Sequence, residues 1–152
     1  MIGWLVDAAR EHVVRPQTLD EDAGGVPEDR RIWENEGSAP LTAYDRYAQV
    51  VALSTVPISW DIGGMTARMR HEIAIVLTVT GPDLARAEDE RGPVALDLMI
   101  RAMQHEWANL VDPDGRQEVD TLAVRVDWGS LGLSDTDANA TITLTLDTTL
   151  TL

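Results

Sequence analysis

Apolar and polar positions along this chain follow two distinct periods. In the opening segment Ile2, Leu5, Val6, Ala9 and Val13 recur at spacings of three, one, three and four, one apolar stripe on a helix that Pro16 is expected to close. From Gln17 to Leu41 the period dissolves into Asp, Glu, Gly and Pro, with Ile32-Trp33 as an apolar island. Tyr44 to Ser54 then predicts a strand, and Val56 to Ile62 a second short one running into Gly63-Gly64, a pair suited to a hairpin turn. From His71 to Thr80 the period is two, with Ile73, Ile75, Leu77 and Val79 on one face.

A charged connection, Asp83 to Arg91, leads to Gly92-Pro93, and proline suits the first turn of a helix because its missing N–H would have no partner there. Leu96, Met99, Ile100, Met103, Trp107 and Leu110 predict that helix and its buried stripe. Asp112-Pro113-Asp114-Gly115 reads as a turn. Leu122, Val124, Val126 and Trp128 form the inner face of another strand, and Ala140, Ile142, Leu144 and Leu146 alternate with Thr141, Thr143, Thr145 and Asp147 in the last. The expected fold class is α+β, an antiparallel-rich sheet of four to five strands with two helices on one face. Ile73, Ile75, Leu77, Val79, Leu122, Val124, Val126, Ile142, Leu144 and Leu146 should share one core with Leu96, Met99, Ile100 and Met103.

The 152 residues suit a single domain, 1–152, with a long acidic loop at about 17–41, and can bury roughly 70% of the unfolded surface. Cysteine is absent, which excludes disulfides, thiol nucleophiles and Cys-based metal sites. No apolar run approaches the roughly 18 residues that span a bilayer, and Met1 to Arg15 lacks the pattern of a signal peptide, so a soluble chain that is not exported by a cleaved signal is expected. The net charge of −14 argues against a free-standing nucleic-acid reader. All 12 basic residues are arginine, and the composition is similar to that of proteins from salt-loving archaea. Genomic base composition can exchange lysine for arginine, but does not by itself favour so many carboxylates.

Signs of catalysis are missing. His71-Glu72, His105-Glu106 and Glu11-His12 lack HExxH spacing and a third ligand at a sensible offset. Asp135, Asp137 and Asn139 imitate the start of a calcium loop, but Ala140 stands where the turning glycine belongs and Leu146 where the bidentate glutamate belongs. No GxSxG, Walker loop or GxGxxG occurs, and the Asn139-Ala140-Thr141 sequon arises easily in a threonine-rich strand. Neither a catalytic residue nor a metal ligand is assigned, and no cofactor is expected.

The order of elements resembles the tail terminator and tail-completion proteins of long-tailed viruses. The resemblance rests on the amphipathic first helix and the polar loop, then a strand pair ending in Arg68-Met69-Arg70-His71-Glu72-Ile73-Ala74-Ile75-Val76-Leu77. The charged connection, the helix from Gly92 to Leu110 and two closing strands complete it. It covers about residues 42 to 152, with the first helix in addition, and is topological rather than carried by invariant residues. The 25-residue acidic loop and the absence of lysine depart from the family pattern and fit a virus of haloarchaea.

The resemblance implies a virion protein assembled in the host cytoplasm. It would form a homo-oligomeric ring, typically a hexamer, at the head-proximal end of the tail tube. Its expected partners are copies of itself, the tail tube protein and a neck or head-completion protein, with DNA passing through an acidic lumen and no membrane involved. A stopper or other head-completion protein is the near alternative, and a halophilic small-molecule binder or enzyme the distant one. Residues that no stripe claims are the expected partner interface: Arg30, Arg31, Ile32 and Trp33 in the acidic loop, with Trp60, Ile62 and Met65 around the glycine pair. Trp33 could equally fold back onto its own subunit.

Salt should govern stability. Dilution from about 1 M to about 0.1 M lengthens the Debye length from about 3 to about 10 Å, so like charges begin to repel. The melting temperature is expected to fall over that range, and an unchanged value would remove the halophilic reading.

Overall fold

The computed structural model describes residues 2–18, 26–34, 45–61, 63–129 and 135–151. The chain opens with a helical segment made of α1 (Gly3–Ala9), a wide π turn (Arg10–Val14) and α2 (Arg15–Thr18). Pro16 therefore does not close the helix where the sequence suggested. The wide π turn directly before it, in which the Arg15 N–H bonds to the Arg10 carbonyl five residues back, carries the helical path through Pro16 into α2. Within the expected loop at 17–41, a 3₁₀ turn (Glu28–Arg30) leads to the short strand β1 (Trp33–Glu34), while 19–25 and 35–41 lie outside the described residues.

Strands β2 (Arg46–Trp60), β3 (Thr66–Thr80), β4 (Gln117–Asp127) and β5 (Asp137–Thr151) complete a sheet of order β1-β2-β3-β5-β4. All pairings are antiparallel except β1 with β2, which is parallel. The two short strands expected across 44–62 are one strand. Register shifts between Ala52 and Ser54 and between Pro57 and Ser59 break its alternation, which is why it reads as two pieces. Gly64, at φ 76°, makes the hairpin turn, and its N–H donates to the Asp61 carbonyl at 2.9 Å.

The strand registers follow the period of two. Ile73, Ile75, Leu77, Val79, Ile142, Leu144 and Leu146 are fully buried under the helices, and Leu122, Val124 and Val126 pack half-buried against them. The opposite face carries Thr141, Thr143 and Thr145, paired with Val76, Ala74 and Glu72 on β3, and no helix covers it among the described residues. The fold is thus α+β in two layers.

The long helix departs from expectation in both its start and its buried face. Helix α3 runs Leu84–Gln104, so the charged connection is its first turns and Pro93 lies inside it. Asp83 caps it by accepting the Arg86 N–H at 2.8 Å, a stronger start signal than Gly92-Pro93. A Cβ on Gly81 would lie 2.9 Å from the Ala87 backbone nitrogen, so glycine lets the end of β3 meet this first turn. The residues that α3 buries are Ala87, Val94, Ala95, Leu98 and Ala102. Leu96, Ile100 and Met103, expected inside, are 43%, 45% and 61% exposed, and Met99 is half-buried. Small side chains let the helix axis approach the sheet, so the alanine face wins over the face with larger residues.

The helix also ends before its expected last turns. Trp107 and Leu110 belong to a separate 3₁₀ turn (Trp107–Asn109) and its cap, where the Trp107 indole N–H donates to the Ala102 carbonyl at 2.7 Å. Trp128, expected on an inner face, lies beyond β4 and is 47% exposed, with the Arg91 guanidinium 5.3 Å from its ring centre. The turn before β4 forms as its composition suggested, with Gly115 at φ 67° and Asp112 accepting backbone N–H groups from Asp114, Arg116 and Gln117.

Two substitutions separate the buried and exposed faces. Leu144→Ala is expected to cost about 2–5 kcal/mol in denaturant unfolding. Ile100→Ala should change stability by less than about 0.5 kcal/mol. Equal costs would contradict the helix face described above.

Candidate interaction surface

The six described residues of the expected partner interface do not form one patch. The segment around Arg30 is tied to the body by Gln17, which is fully buried. Its amide nitrogen donates to the Arg30 carbonyl at 2.7 Å, and its amide oxygen accepts from Arg101 Nε at 3.0 Å. Arg30 pairs with Asp97 on α3 at 3.7 Å, and the Arg31 carbonyl accepts from Arg46 Nε at 2.8 Å.

Ile32 corrects an expectation, since at 2% exposure it belongs to the hydrophobic core and is not available to a partner. Its N–H reaches the Gln17 carbonyl, so the acidic segment folds back and inserts this side chain, with Val26 of the same segment also buried. Trp33, its neighbour on β1, points the other way and is 58% exposed. The adjacent Glu34 is held by Arg10 and Arg15.

Trp60 and Met65 flank the β2–β3 turn and are 67% and 60% exposed, while Ile62 lies outside the described residues. They continue a run of exposed apolar residues on β2, namely Leu53, Val56 and Ile58. The sequence reading missed these three by placing the strand interior there. The signal was present, because Tyr47 to Trp60 contains no charged residue in a chain that is 25% charged.

Beyond the end of α3 the sheet is completed by polar groups. On the helix side, the His71 ring bridges all four long strands. Its Nδ1 meets Thr55 Oγ1 at 2.9 Å, and its Nε2 meets Thr148 Oγ1 at 3.0 Å and Gln117 Oε1 at 3.2 Å. On the opposite side Arg70 donates to both carboxylate oxygens of Asp147, at 2.8 and 3.0 Å. That pair, chiefly through the Arg70 hydrogen bonds, holds the Asp147 carboxyl below its ordinary range. Asp137 and Asn139, two members of the calcium-loop imitation, accept hydrogen bonds from Thr80 and Thr78 across the sheet.

An open groove of about 400 Å³ runs between the end of α3 and β4, lined by Met103, His105, Trp107, Val119, Leu122 and Val124 among others. His105 stacks on His12 with ring centres 4.3 Å apart and meets Trp107 edge-on at 4.8 Å. Parallel stacking aims the two imidazoles side by side rather than at a shared ion. Among the described residues no three potential ligands converge on one point. No helix among them is long and apolar enough to cross a membrane.

No protein-family model matches this chain, and no curated protein does. Among the solved structures that match, one, of a protein whose name states no function, aligns over 100% of this chain and 96% of its own at 19% identity, with a TM-score of 0.44. Likeness at that level carries no argument about family or function.

The two histidines predict a pH response. Burial, foremost, lowers the pKa of both His71 and His105 below 6.5. As pH falls below about 6.5 the unfolded chain takes up protons that the folded chain refuses, so stability is full above that value and declines beneath it. Denaturant midpoints at pH 7.5, 6.5 and 5.5, all above the ordinary carboxylate range, should fall in that order. The decline should be shallower in His71→Gln, whereas a rise on acidification would contradict the arrangement.

Proposed function

We propose that this chain is a structural virion protein of the tail terminator class, in a virus of a salt-loving host. It would form a ring at the head-proximal end of the tail tube that stops tube growth and joins tail to neck, with DNA passing through the lumen. The observation that carries this reading is the uncharged stretch of β2 from Tyr47 to Trp60, beside the exposed Met65, which among the described residues pairs on its outer side only at Tyr47 and Ala48. An acidic chain that keeps fourteen consecutive residues free of charge, on a strand at the side of its sheet, is built to meet another protein surface. The element order supports the same class, and a stopper or other neck protein would use the same features.

The groove beside Met103 is the observation that favours a stand-alone binder. Its lining, in which Asp120, Thr121 and His105 join the apolar residues, is open along β4 and suits a side chain of another protein at least as well as a small molecule.

Negative-stain imaging of the purified chain in molar salt tests the reading. Rings of one size with a central opening are expected. A strictly monomeric or dimeric solution mass would overturn the proposal.

A further inference from the structure

The two sides of the sheet are unequal and matched. On the side of β2 away from β3, the described residues pair only at Tyr47 and Ala48, with β1. Following the ladders across the sheet, Gln49 is level with Val76, Thr141 and Asp127, and Trp60 is level with Ala67, Leu150 and Gln117. Strand β4, which forms the other edge, therefore occupies the same levels as the stretch of β2 that β1 leaves open. β2 and β4 also run in opposite directions, because three antiparallel steps separate them.

From this we infer that β2 of one copy adds, antiparallel, to β4 of the next, joining subunits head to tail into a continuous sheet. The inference rests on the ring reading above and names the surface that builds it. Because the open stretches lie at one level, each added copy needs no displacement along the strands, the condition for a closed ring rather than a rising filament.

Charge is compatible with this pairing. β4 carries Glu118, Asp120 and Asp127 against Arg125 alone, so setting β4 against β4 would bring together two net-acidic strands, whereas Tyr47 to Trp60 brings no charge. Side chains agree as well. Paired residues share a face, which puts Thr55, Pro57 and Trp60 of β2 on the helix side, with His71, Met69 and Ala67. In the joined sheet this side faces the groove between β4 and α3, where Trp107, Val119 and Leu122 would receive apolar groups of the neighbour. Pro57 withholds one N–H, while the other ladder positions remain usable.

Cross-linking tests this directly, since the chain has no cysteine. Ser54 is level with Ala123, and Val56 with Thr121. Within one subunit β2 and β4 stand three strand spacings apart, about 14 Å, beyond the roughly 7 Å limit for a disulfide. Oxidising the full chain carrying Ser54→Cys with Ala123→Cys, or Val56→Cys with Thr121→Cys, should give a covalent ladder ending in one closed species. The single variants should give none.

Trp60→Glu should weaken assembly about tenfold or more while leaving monomer melting unchanged. Imaged rings without a ladder from either pair would overturn the β2-to-β4 contact and leave the ring reading standing. Dimers from Ser54→Cys alone would mean that β2 pairs with itself, and would overturn it too. Monomers by both imaging and cross-linking would overturn both readings.

Discussion

The antiparallel ladder between β3 and β5 is the constraint on which the rest of the molecule depends. It pairs Thr66 to Thr80 with Thr151 to Asp137 without a register shift. A slip of one residue would carry Thr141, Thr143 and Thr145 under the helices and move Ile142 and Leu144 to the opposite face of the sheet. Since β3 and β5 are the inner strands of the sheet, the places of β2, β4 and α3 all follow from this pairing.

The helices do not cover the whole length of that ladder. Where the apolar side chains of β3 stop, at Ile73, the next inward residue is His71, and its hydrogen bonds to Thr55, Gln117 and Thr148 tie together strands that no helix clamps. A buried polar group is tolerated when both ring nitrogens have partners, and the low dielectric around it then strengthens each bond. Arg70 and Asp147 hold the opposite face at almost the same level. The end of the sheet nearest the hairpin is thus specified by directional bonds rather than by packing.

Edges are where an open sheet is exposed to wrong pairing, and charge is a common guard against it. Here β4 carries such charges and β2 beyond Arg46 does not, although β2 has two bulges and Pro57. In the proposed assembly this asymmetry would let subunits join in one direction, uncharged β2 against acidic β4. It would also allow a chain of net charge −14 to meet a copy of itself without opposing its acids at the contact.

By itself the sequence determined the class of the fold, the faces of β3, β4 and β5 and the turns at Gly64 and Gly115, because a period of two and a positive φ are properties of local sequence. Which face of α3 is buried was decided by tertiary structure. Both of its faces repeat with helical spacing, and only the closeness of the sheet selects Ala87, Ala95 and Ala102 over Leu96, Ile100 and Met103. The fate of Ile32 was settled the same way, since an apolar residue between breakers has no local signal of whether its own core or another protein will cover it. The level match between the open stretch of β2 and β4 lay furthest from the sequence. It is a sum of three strand registers, and each of them exists only once the strands have paired.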